Sequence, residues 1–216
     1  MIFGFIGSGN MGGAIIGGII NSDIASPENV IVSDKNEQAL KNINEKYGVK
    51  VTLDNKETAD KADVLFLCVK PQFLYGVIDE IKNSVSDNTV IVSIVAGQAI
   101  ETIEKAFEHN IKLVRVMPNT PALVGEGMAA LTPNSNVTKE ETDVVVNVFN
   151  SFGKGEVVSE NLMDAVTAVS GSSPAYVFMM IEAMADAAVI GGMPRSQAYT
   201  FAAQAVLGSA KMVLET

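Results

Sequence analysis

Short apolar runs alternate along the chain with stretches whose apolar positions recur at helical spacing. The runs "IFGFI", "VIVS", "DVLFLCV", "TVIVSIV" and "KLVRVM" are separated by "MGGAIIGGIINS", "NEQALKNINEKY", "FLYGVIDEIKNS" and "AIETIEKAF". Continuous apolar strands with helices between them predict a mostly parallel sheet covered on both faces, so the expected class is α/β, doubly wound. After "MAALTP" come a helix around "KEETDVVVNVFNSF" and a short strand at "GEVVS", which closes a first domain at residues 1–159. Residues 160–216 carry no strand pattern and read as helices broken at "GSSP" and "IGGMP".

In that second segment "AYVFMMIEAMADAAVIGGM" is apolar nearly all round. A helix of this kind must be buried, and a segment so short cannot cover it alone, so a partner subunit is expected to do so. Its length suits a membrane span, but Glu182 and Asp186 would each cost about 2.5–3.5 kcal/mol near the centre, which favours a buried helix and no membrane. Its methionines are read as packing groups. The chain ends at "AKMVLET" within a helical pattern and without a capping residue, as expected of a chain that continues further. At the other end "MIFGFIGSGN" starts a strand at once, leaving no room for a signal peptide, and the expected location is cytoplasmic.

Composition narrows the function classes. With 48% hydrophobic and 19% charged residues over 216 positions, the chain can build one α/β core and a smaller second unit. A net charge of −10 without a Lys/Arg cluster argues against nucleic acid as a partner. The single cysteine, Cys68, lies inside "VLFLCV" and reads as a small buried hydrophobe. The single histidine, His109, has no carboxylate or thiol at ligand spacing, so no metal site is expected.

The chemistry gathers where strands end. The first strand runs into "GFIGSGNMGGA", where Gly7, Gly9 and Gly12 form a GxGxxG turn between a strand and a helix. These glycines suit a tight turn, approach of the backbone to a pyrophosphate, and close helix packing, with the helix N-terminus facing the phosphates. Asp34 lies 22 residues beyond Gly12, near the distance at which an acidic residue reads an adenosine ribose. Asp34 would favour NAD, whereas Ser33 and Lys35 would bind a 2′-phosphate if Asp34 turned outward. "CVKPQ" and "VAGQ" end two further strands, so Lys70, Pro71, Ala96 and Gly97 are expected along the cofactor cleft, with a solvated strand-end lysine as the alternative for Lys70. The stretch "RVMPNTPALVGEG" is a stiff polar loop after an apolar strand, a usual setting for binding groups.

Taken together, "GFIGSGNMG", "NKETADKADVLFLCVKPQ", "VSIVAGQ", "RVMPNTPALVGEGMAAL" and "AVSGSSPAYVFMMIEAMADAAVIGGMPRSQA" span the chain in an order that resembles the pyrroline-5-carboxylate reductases. The resemblance implies a Rossmann domain followed by an all-helical domain that intertwines in a homodimer, with a higher oligomer left open. It implies reduction of the cyclic imine pyrroline-5-carboxylate to L-proline by NADP in its reduced form, or by NAD as the alternative. Carried over by position, cofactor contacts fall on Gly7, Ser8, Gly9, Asn10 and Met11, on Ser33 and Asn55, on Val69, Lys70 and Pro71, and on Ala96 and Gly97. Asn119, Thr120 and Pro121 would close over the nicotinamide end and, with Ser173, contact the substrate. The substrate would lie between that loop and the second domain, with "GSSPA", Ser172 to Ala175, as a wall. Ser172 is then the candidate for proton handling, alongside water and a threonine of the family's Ser-Pro-Gly-Gly-Thr stretch, which would follow Thr216.

Two rivals stand beside this reading. A β-hydroxyacid dehydrogenase also pairs a GxGxMG-like turn with a helical domain, but it uses a lysine early in that domain's first long helix, and no Lys follows Gly171 until Lys211. A sensor or scaffold that binds NAD(P) without turnover is the second.

Overall fold

The computed structural model describes all residues from Met1 to Thr216. Eight strands form one sheet: β1 (Phe3–Ile6), β2 (Val30–Ser33), β3 (Lys50–Thr52), β4 (Val64–Leu67), β5 (Val90–Ser93), β6 (Lys112–Met117), β7 (Gly127–Pro133) and β8 (Gly153–Val157). Six helices are interleaved with them: α1 (Asn10–Asn21), α2 (Glu37–Tyr47), α3 (Asn55–Lys61), α4 (Leu74–Ile81), α5 (Ile100–Phe107) and α6 (Lys139–Asn150). The short α7 (Met163–Val166) then leads into a π-helical turn at Thr167–Gly171, followed by α8 (Ser173–Ile190) and α9 (Arg195–Glu215). The expected doubly wound, mostly parallel sheet followed by helices is what forms.

The strand order is β3-β2-β1-β4-β5-β6-β7-β8, and only the β6–β7 pair is antiparallel. The chain leaves β1 toward β2 on one side and returns to β4 on the other, so the carboxyl ends of β1 and β4 flank the switch point where such sheets receive ligands. The central strands are buried on both faces, which explains their uninterrupted apolar sequence. Phe5 and Phe66 stack across β1 and β4, ring centroids 4.6 Å apart, in the core on one face with Ile15, Val92 and Phe149. Leu65, Leu67, Ile78, Ile103 and Phe107 fill the other face.

Local chemistry sets the helix ends. Asn36 accepts from the Ala39 amide at 3.1 Å to start α2, and Gly48, at φ +71°, ends it. Thr138 and Glu141 form a reciprocal capping box on α6. Two elements had no counterpart in the sequence pattern. β3 is a three-residue, largely exposed edge strand, and α3 is a polar seven-residue helix started by Asp54, whose carboxylate accepts from the Lys56 amide at 2.8 Å.

Two compact units can be distinguished, Met1–Gly171 and Ser172–Thr216. In the second, α8 and α9 pack through Ala185, Ala198 and Ala202, and Arg195 pairs with Asp186. Few other side chains there are covered: Tyr176, Phe178, Met179, Met180, Phe201 and Leu207 are exposed. The helical run Glu160–Ile190 has the length and apolar composition of a membrane span, and little of it is buried within the single chain.

Candidate functional site

The turn from β1 into α1 forms a cradle. Gly7 sits at φ +103°, and a Cβ there would lie 2.5 Å from the Cys68 carbonyl oxygen. A Cβ on Gly12 would meet the Gly7 oxygen at 2.5 Å. Both positions therefore require glycine for close packing. Gly9 is different: no atom lies within 4 Å of the Cβ it lacks, so its backbone faces open space. It is also the N-cap of α1 and offers no side chain, leaving the first-turn amides of the helix, from Asn10 and Met11 onward, without an internal partner. Open backbone, unpaired amides and the positive end of a 12-residue helix fit a pyrophosphate group.

Beside the cradle lies a cleft of about 520 Å³. Of the residues singled out in the sequence, Gly7, Gly9, Asp34, Lys35, Asn55, Val69 and Lys70 line it. Ile6, Cys68, Gln72, Phe73, Gly76 and Val77 line it as well. Cys68 is partly exposed, and desolvation pushes its thiol far above the ordinary range, so it stays protonated and inert. The four residues from Gln72 to Val77 were missed because they belong to a turn of 3-10 helix, Pro71–Phe73, and to the start of α4, whose spacing reads as ordinary packing. Their position directly after a strand end was the available signal.

The floor beneath the end of β2 is a buried polar chain. Ser33 is fully buried and donates its hydroxyl to Asn55 Oδ1 at 2.8 Å, and Asn55 Nδ2 donates to Glu80 Oε2 at 2.9 Å. Asp34 turns toward the glycine-rich loop: its Oδ2 accepts from the Ser8 amide and the Ser8 hydroxyl, each at 2.7 Å, and its Oδ1 accepts from the Asn36 amide at 2.9 Å. Burial would raise the Asp34 pKa, but hydrogen bonds from the Ser8, Asn36 and Lys35 amides and the Ser8 hydroxyl outweigh it and hold the carboxyl below its ordinary value.

Pro71, Ala96 and Gly97 stand exposed on the loops after β4 and β5, outside the cleft lining. Gly97 takes φ +73°. The loop after β5 is tied to the first turn of α4, where Tyr75 Oη donates to Gln98 Oε1 at 2.5 Å.

The loop after β6 forms a second cluster. It turns through a 3-10 helix at Thr120–Val124 and leaves through Gly125 at φ +80°. Asn119 accepts from the Met128 amide at 2.8 Å and donates to the Ser170 carbonyl at 3.0 Å, so both ends of its amide are engaged. Thr120 is exposed and Pro121 half-buried. Gly171 packs against Met117, whose Cε would lie 2.6 Å from an added Cβ. The π-helical turn that ends there is a rare backbone form that is frequent at functional sites. Ser172 and Ser173 open α8, the former without a side-chain capping bond.

One residue had no signal in the sequence. Glu160 Oε1 accepts from the Ile100 amide at 2.8 Å, at the start of α5, and from Arg115 Nη1 at 2.9 Å, on β6. It thereby ties the segment after β8 to the start of α5 and to β6, the strand that leads into the Asn119 loop.

Comparison with known proteins agrees with this geometry. Residues 2–97 match the family described as NADP oxidoreductase, coenzyme F420-dependent, and residues 160–216 match the pyrroline-5-carboxylate reductase dimerisation family. The pyrroline-5-carboxylate reductase of Escherichia coli K12 is 50% identical over 213 residues, covering 99% of this chain and 79% of the relative. A solved pyrroline-5-carboxylate reductase from Coxiella burnetii superposes with TM-score 0.93 at 35% identity, over 99% of this chain and 80% of that one. The Plasmodium falciparum enzyme, solved with NADP bound, gives TM-score 0.89 at 34% identity, over 100% and 79%. With half of its residues shared along nearly its entire length, and with both of its segments matched, the chain belongs to the pyrroline-5-carboxylate reductase family.

Proposed function

We propose that this chain reduces L-1-pyrroline-5-carboxylate to L-proline, the last step of proline biosynthesis, with NADPH as the reductant and NADH as the alternative. The observation that carries the reading is the identity to such reductases across 99% of the chain. The glycine cradle, open only at Gly9, supports a dinucleotide partner.

When bound, the reduced nicotinamide supplies a hydride to the imine carbon. The work of the chain is to bind and orient. The first-turn amides of α1 would hold the pyrophosphate, and Asn10, Met11, Val69, Lys70, Pro71, Ala96 and Gly97 are the proposed walls around the dinucleotide. Thr120, Pro121 and Ser173 are the proposed substrate contacts, and Asn119 holds their loop in shape through Met128 and Ser170. A cyclic imine takes up its proton readily, so a strong acid is not required, and Ser172 is the hydroxyl proposed to hold that proton. Alignment alone can supply up to roughly 7–11 kcal/mol in well-oriented systems.

The proposed division is a nucleotide-binding domain at residues 1–159 and a helical domain at 160–216. The family match over 160–216 and the exposed apolar faces of α8 and α9 support a homodimer. A cytoplasmic location is proposed by analogy with the relatives. The test is NADPH oxidation with pyrroline-5-carboxylate, with proline identified as product. Cofactor bound without turnover, in a chain extended to the relatives' full length as well as in this one, would favour the sensor reading.

A further inference from the structure

An acidic residue at the end of β2, about 20 residues past the glycine turn, ordinarily accepts from the adenosine ribose and marks an NAD site. Asp34 has that position but not that freedom. A carboxylate offers about four acceptor sites, and here the Ser8 amide, the Ser8 hydroxyl and the Asn36 amide occupy three of them at 2.7–2.9 Å. The Lys35 amide adds a further stabilising contact. The donors come from both sides, Ser8 on the glycine-rich loop and Asn36 on the cap of α2, so the carboxylate fastens the loop to the sheet. Ser33 has no exposed surface and gives its hydroxyl to Asn55. Among the side chains at this end of the cleft, the charge left to meet a ligand is the exposed ammonium of Lys35.

We infer that Asp34 is a positioning residue that braces the phosphate-binding loop and does not read the ribose, and that Lys35 discriminates between the dinucleotides, favouring the one with a 2′-phosphate. The inference rests on the cleft being the dinucleotide site.

The experiment measures dissociation constants for NADPH and NADH on the full chain by nucleotide fluorescence, with melting of the unliganded protein as a folding control. Asp34→Asn is expected to weaken both nucleotides on the order of tenfold, as loss of a charge-assisted bond to a buried amide does, with their ratio unchanged within about twofold. Ser8→Ala, which removes one donor from the loop side, is expected to move both in the same direction by about threefold. Lys35→Ala is expected to weaken NADPH by about fivefold or more and NADH by less than about twofold. The KM for NADPH should rise with the dissociation constant in Asp34→Asn; a fall in kcat with KM unchanged would report general loosening and overturn the assignment. A loss confined to NADH, a gain for NADPH, or no change in Asp34→Asn would also overturn the bracing role, and an unchanged ratio in Lys35→Ala would overturn the discriminating one. A wild-type chain that binds neither nucleotide would reject the cleft reading itself, and this inference with it.

Discussion

Asn119 and Ser170, 51 residues apart in sequence, are joined by one hydrogen bond of 3.0 Å from the Asn119 side-chain amide to the Ser170 carbonyl. The other end of the same amide accepts from Met128 at 2.8 Å, so one side chain fixes the β6–β7 loop and the π-helical turn together. Asn119→Ala should strand a partly buried donor and a partly buried acceptor and cost about 1–2 kcal/mol. Asn119→Asp keeps the acceptor for Met128 but sets a carboxylate oxygen against the Ser170 carbonyl, and should be no more stable than Ala. Urea unfolding of the three proteins gives the order; equal stability would mean that the clamp contributes nothing.

Two glycines of one motif should fail in different ways. A side chain at Gly9 meets empty space, so Gly9→Val should leave the melting temperature nearly unchanged while weakening NADPH binding at least tenfold by blocking approach of the pyrophosphate to the backbone. Gly12→Ala drives a methyl to 2.5 Å from the Gly7 oxygen and should cost about 1–3 kcal/mol of stability, the usual range for overpacking. Thermal melts and nucleotide titration on both variants separate the roles. Unchanged nucleotide affinity in Gly9→Val would sink the phosphate-loop assignment.

What the sequence disclosed follows from how local each constraint is. Strands such as β4 and β5 are buried on both faces, and that requirement is written into every residue of "VLFL" and "VIVS". The glycine turn was legible for the same reason, because the backbone at Gly7 and the packing at Gly12 forbid a side chain in place. β3 and α3 were not legible: one is a short exposed edge, and the other owes its start to the Asp54 cap and its place to the buried Thr58 and Ala59, with no apolar stripe. The candidate site divides likewise. Asp34 could be located from spacing, but the direction of its carboxylate depends on Ser8, a neighbour only because β1 pairs with β2. Glu160 owes its role to Ile100 and Arg115, 60 and 45 residues away, and no pattern along the chain connects them.

Acid sensitivity should trace in part to Glu141. Burial would raise its pKa, but the Lys112 ammonium and the Thr138 amide and hydroxyl outweigh burial and lower it. Lys112 Nζ lies 2.6 Å from Glu141 Oε1, and both side chains are mostly covered. A carboxyl whose folded pKa is lowered contributes stability that is fully present above its unfolded value and is lost as pH falls through the folded one. The window therefore opens near pH 4.3, the ordinary glutamate value, and extends downward. Glu141→Gln should be less stable than wild type at pH 7, by about 1 kcal/mol, with the gap narrowing below pH 4. Denaturant melts at pH 7 and pH 3.5 provide the comparison, and a gap that widens in acid would contradict the assignment.

The apolar surface of the second unit sets the last expectation. Of the 18 residues of α8 only Ala185 is buried, and Phe178 and Met179 are 62% and 67% exposed. Exposed apolar area on this scale marks an interaction surface, and a second copy of the chain is the occupant that the family match over 160–216 supports. In an isolated chain, replacing residues so exposed would change stability by about 0.5 kcal/mol or less. In a dimer the same positions become core, where an unpaired carboxylate is costly. Met179→Glu combined with Phe178→Glu should therefore leave the fold intact by circular dichroism while shifting the mass measured by light scattering at micromolar concentration from dimer to monomer. A wild-type chain that is monomeric under those conditions, or a variant that dimerises as well as wild type, would place the interface elsewhere.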